Sequence, residues 1–98
     1  MNEVPLHPLV QSIAKSLSLE EGSVVMSPAA FDANKALLLA VTSQEKKAII
    51  TSLLAFSARL LRDGHGSTDA AVASIEALTA ELIGDPHAAT ELFAQIKR

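Results

Sequence analysis

Apolar side chains recur along this chain at spacings of three and four, broken by a legible set of stops and starts. Val10, Ile13, Ala14 and Leu17 mark one helical face, and Pro8 fits the first helical position, where its missing N–H costs nothing. This predicts a first helix from Pro8 to Ser18. From Glu20 to Met26 the period lapses. Gly22 stops a helix, and Val24-Val25-Met26 is too short to define a strand, so a connector laid over the core is expected. Ser27-Pro28 then supplies a cap and a first-turn proline for a second helix, Pro28 to Val41, with Phe31, Leu37, Leu38 and Val41 on one side. Thr42-Ser43-Gln44-Glu45 fits a capping box, opening a third helix that runs from Ser43 to Asp63 and ends at Gly64 as its left-handed cap.

The third helix carries the most information. In projection Ile49, Leu53, Phe56 and Leu60 cluster, with Ile50, Leu54 and Leu61 beside them. The apolar arc is roughly 160° wide, against the roughly 100° stripe of an ordinary surface helix. Thr51, Ser52, Arg59 and Arg62 fall on the other side, mixed with Ala48, Ala55 and Ala58. A helix of this kind needs neighbours on two sides, which marks it as the central element. After a loop at His65 and Gly66, Ser67 or Thr68 caps a fourth helix. Ala71, Ile75, Leu78 and Leu82 form its main stripe, Val72 flanks them, and Ala73, Ala77 and Ala80 make a small-residue stripe on its back. Gly84 ends it, and Asp85-Pro86 starts a fifth helix with Ala89, Leu92, Phe93 and Ile96 on its apolar face. The prediction is one all-α domain over residues 1–98, a small bundle of about five helices around a long central helix at about 43–63.

Composition narrows the class. The chain is 49% hydrophobic and 19% charged, which excludes a disordered segment. With 98 residues its core is thin, so packing against a partner would matter more than in a larger protein. Phe31, Phe56 and Phe93 are the only aromatics, which argues against stacking on bases or sugars. The absence of cysteine excludes disulfides and thiolate metal sites and leads us to expect a reducing, cytoplasmic setting. A net charge of −3 gives no general attraction to nucleic acid or anionic membrane. Residues 1–7 lack the pattern of a signal peptide, and the longest apolar run, 36–41, is far too short for a membrane span.

Candidate chemistry is sparse. Asp63-Gly64-His65-Gly66-Ser67-Thr68-Asp69 holds acid, base and hydroxyl groups, but helix stopping, turning and capping account for each of them. The helix start at 66–68 lacks the lysine of a phosphate loop, and His7, His65 and His87 have no metal-ligand spacing. No cofactor or metal is expected. The fourth helix, the natural reader in a helix–turn–helix, carries Asp69, Glu76 and Glu81 and no basic residue, which argues against DNA recognition. Association is the reading that remains. The wide third helix and the Ala73, Ala77, Ala80 stripe suit either the monomer's core or a helix from a partner. Asn34 projects between Leu37, Leu38 and Val41. It is either an edge amide bonded to water or backbone, or a buried amide that fixes register. The expected function is a non-enzymatic interaction module, an anti-activator, adaptor or chaperone-like protein. It would bind a protein partner and form a homodimer, with Arg59 and Arg62 at the rim. The alternative is a helical bundle holding a small molecule near Phe31 and Phe56.

Overall fold

Proline and polar caps begin most of the helices, and the element order follows from them. The computed structural model describes residues 6–63 and 66–97. It contains α1 (Pro8–Lys15), β1 (Leu17–Glu20), β2 (Ser23–Met26), α2 (Pro28–Leu39), α3 (Ser43–Asp63), α4 (Asp69–Ile83) and α5 (Pro86–Ile96). The Ser27 hydroxyl accepts from the Ala30 N–H at 3.1 Å, and an Asp85 carboxylate oxygen accepts from the His87 and Ala88 N–H groups at 3.0 and 3.2 Å. Gly84 closes α4 in the left-handed conformation, φ 80°. Both ends of α3 fall where the sequence places them, and the Glu45 N–H meets the Thr42 carbonyl at 3.1 Å. The proposed cap at Gly64, and His65 with it, lie outside the described residues.

Residues 17–26 depart from expectation twice, since the first helix does not reach Ser18 and the stretch Glu20 to Met26 is not a mere connector. Helix α1 stops at Lys15, where the Ser16 hydroxyl donates to the Ile13 carbonyl at 2.6 Å and competes for the helical acceptor. The chain then forms an antiparallel hairpin that pairs Leu17 with Met26 and Glu20 with Ser23. Its two-residue turn, Glu21-Gly22, has positive φ at both positions (51° and 81°), the signature of a type I′ turn matched to the twist of the strands. Ser67 extends the sheet by a parallel bridge to Ser23. Its N–H donates to the Gly22 carbonyl at 2.9 Å, and its carbonyl accepts from the Val24 N–H at 2.8 Å. Gly66 is required at this junction, because a Cβ there would collide with the Gly22 carbonyl oxygen. The expected hydroxyl cap on α4 is also revised. Thr68 holds the N-cap position, but its side chain makes no capping bond. The hairpin bridge positions this helix start instead.

The core is one cluster that includes Val10, Ile13, Leu38, Ile49, Leu53 and Phe93, together with the Val72, Ile75, Leu78 and Leu82 stripe of α4. The radius of gyration, 12.6 Å, is close to the roughly 13 Å of a single 100-residue domain. Helix α3 packs on α1, α4 and α5, while α4 packs on α2, α3, α5 and β2, so the two helices share the middle of the molecule. The inward face of α3 is rotated from the projected one. Ser57 is fully buried, and Ser52 is only 8% exposed although the sequence places it on the polar side. Phe56 and Leu60 are half-buried. The cause is the segment before α1, whose His7 N–H donates to the Ser52 hydroxyl at 2.8 Å and covers that flank.

Candidate interaction surface

Helix α2, PAAFDANKALLL, is apolar almost all round. A helix of that composition is normally buried on every side. Here only Asn34 and Leu38 are buried, and Phe31 is half-buried. The outward side presents Ala29, Ala33, Ala36, Leu37, Leu39 and Ala40 to solvent, with Asp32 as the charge among them. Leu37 is 45% exposed and Leu39 56%. The expectation that Leu37 lies on the core side with Leu38 and Val41 is therefore corrected. With Asn34 and Leu38 pointing inward, Leu37 falls at the edge of the buried arc.

The α2 face adjoins α4. Lys35 pairs with Glu81 across the seam at 3.7 Å. Lys35 stands one helical turn before Leu39, and Glu81 one turn after Ala77, so the bridge joins the two outward faces. On α4 the predicted small-residue stripe faces outward. Ala73 and Ala77 are exposed and Ala80 is half-buried. A stripe without bulk allows close approach of another backbone.

Asn34 does not belong to this surface. It is 4% exposed, and its Nδ2 donates to the Ser16 hydroxyl at 3.0 Å and lies 3.7 Å from Met26 Sδ. It ties α2 to the end of α1 and to β2, so it acts as an internal clamp. Arg59 and Arg62 also lie apart from α2. Arg62, paired with Asp63 at 3.2 Å, lines a cleft of about 630 Å³ with Ala58, Leu61, Asp69, Val72, Ile96 and Lys97. Lys97 bonds Glu76 at 2.9 Å. The cations of that cleft are thus engaged with carboxylates.

A second cleft, about 580 Å³ and mostly apolar, lies between Leu6-His7 and the Gln44, Lys47, Ala48, Thr51, Ser52 and Ala55 stripe of α3. The sequence gives no sign of it, because nothing local brings Leu6 and His7 to α3, and Ser52 projects onto the polar side of that helix. Neither cleft is lined by Phe31 or Phe56, where a small-molecule pocket was expected.

Two of the polar residues singled out in the sequence make structural contacts. His7 Nδ1 accepts the Leu9 N–H at 3.1 Å as the α1 cap, and the Ser67 backbone extends the sheet. Among the described residues no group of three His, Asp or Glu side chains could hold a metal ion, and no helix is long and apolar enough to cross a membrane. No protein-family model matches the chain, and neither a curated protein nor a solved structure does.

Proposed function

We propose that this chain is a non-enzymatic helical module that works by binding protein, and that the outward side of α2, continued by Ala73 and Ala77 of α4, is its docking face. The observation that carries this reading is the exposure of Leu37 and Leu39 on a helix whose outward side holds Asp32 and, at its seam with α4, the Lys35 that pairs with Glu81. Apolar groups held in water on a well-packed helix gain free energy when a partner covers them, at roughly 25 cal/mol per Å². The same economy favours a homodimer, since a thin core leaves apolar surface that a second copy can hide. A regulatory, adaptor or chaperone-like role follows from that mode of action.

Light scattering during size-exclusion chromatography tests the proposal. The wild type is expected to run as a dimer at micromolar concentration. The double variant Leu37→Glu, Leu39→Glu should run as a monomer with an unchanged circular dichroism spectrum and melting temperature. A wild type that stays monomeric at any attainable concentration and takes up no partner through α2, in cross-linking placed at Ala36, would overturn it.

A further inference from the structure

We infer that the cleft along the amino-terminal half of α3 is a second binding site, lined by none of the α2 residues, and that its ligand is a short extended peptide segment combining apolar side chains with a carboxylate. The lining residues of α3 fall at 44, 47, 48, 51, 52 and 55, a single stripe of a helix. At 1.5 Å per residue the stripe is about 16 Å long, the span of roughly five extended residues. One wall is itself extended chain. His7 has φ −57° and ψ 142°, and its N–H is fixed to Ser52. Ala48, Ala55 and Thr51 keep the floor low enough for a backbone to lie close, and Gln44 and Thr51 bring an amide and a hydroxyl for that backbone to bond. Gln44, Lys47, Ala48 and Thr51 are all exposed, so the groove lies open along its length. That shape suits a chain laid along it better than a small molecule, which a pocket encloses on most sides.

Charge selects the ligand further. Lys47 is the cation of the lining, and no lining residue carries a carboxylate. Lys46 stands beside Lys47 in sequence, and α1 and α3 as whole helices hold five basic residues (Lys15, Lys46, Lys47, Arg59, Arg62) against Glu45 and Asp63, a net of +3, with Arg59 and Arg62 beyond the lining toward the carboxyl-terminal end of α3. The remaining described residues hold eight acidic side chains against Lys35 and Lys97, a net of −6. The chain as a whole is acidic, yet α1 and α3 are net basic and the groove is lined by a lysine and no carboxylate. An acidic peptide is drawn to these two helices and repelled from the rest, which gives the site its orientation.

Panning a displayed library of random heptapeptides on the full chain tests the inference. Peptides enriched on the wild type are expected to carry at least one Asp or Glu among apolar residues. They should be lost on Ala48→Trp, which fills the groove from an exposed position. Lys47→Glu should weaken a selected peptide at least tenfold. Matching thermal melts for both variants exclude unfolding as the cause. The inference fails if nothing is enriched, if the enriched peptides lack carboxylates, or if Ala48→Trp leaves binding intact. It also fails if peptides bind only after residues 1–5 are deleted, because the chain would then fill its own groove. Binding lost on Leu37→Glu, Leu39→Glu instead would assign the peptides to α2, so the two sites are tested separately.

Discussion

Helices α2 and α4 are built from nearly the same alphabet, alanine and leucine with a few charges, and they meet opposite fates. Helix α4 buries Ala71, Val72, Ile75, Leu78, Thr79 and Leu82 against α2, α3, α5 and β2. Helix α2 buries Leu38 and an asparagine, and leaves two leucines in water. Composition therefore does not decide which helix becomes core. What decides is how many neighbours the chain brings to each. Helix α4 is approached from several sides, whereas α2 rests on α4, with α1 at its edge. The exposed apolar side of α2 is the feature on which the proposed docking face rests.

The largest expected effect separates the two helices by stability. Leu78→Ala should cost about 2–5 kcal/mol, as a fully buried leucine that leaves a cavity. Leu37→Ala and Leu39→Ala should each change the monomer by less than about 0.5 kcal/mol in urea unfolding. Equal losses at the three positions would mean that the α2 face is core after all. Next comes Asn34→Ala. It removes the clamp and leaves the Ser16 hydroxyl without its donor, at about 1–3 kcal/mol, read from the same unfolding curves. A neutral result would reduce Asn34 to filler. Smaller still is the seam between the two helices. The Lys35–Glu81 pair is partly exposed on both sides, and a double-mutant cycle with alanine should give less than about 1 kcal/mol of coupling, falling with added salt. The fully buried Ser57 hydroxyl has no hydrogen-bond partner among the described residues, so Ser57→Ala should be neutral or stabilise by up to about 1 kcal/mol in thermal melts. A clear loss there would show that the hydroxyl is engaged in solution.

Where the sequence reading held, the signal was local. Ser27, Gly84 and Asp85 act through bonds and angles within a residue or two, so their effect is legible without the fold. The α4 stripe was equally clear, because its apolar positions keep one period. The hairpin was missed because each strand has four residues and Glu-Gly is a weak turn signal. The alternation in Leu17-Ser18-Leu19-Glu20 was its one available trace. The groove on α3 had no trace, since it needs His7 beside Ser52, a sequence separation of 45.

By itself, then, the sequence determined where the helices begin, where α3 and α4 end, and that the molecule is mostly α, while α1 and α2 stop short of the expected Ser18 and Val41. Caps, prolines and glycines act on their own neighbours, and apolar periods survive in any context. The tertiary structure alone decided which apolar face meets water, that Ser52 and Asn34 lie inside, and that a cleft with Lys47 in its lining opens along α3. Those outcomes depend on which distant segment covers which side, and burial belongs to the pair in contact, not to either residue alone.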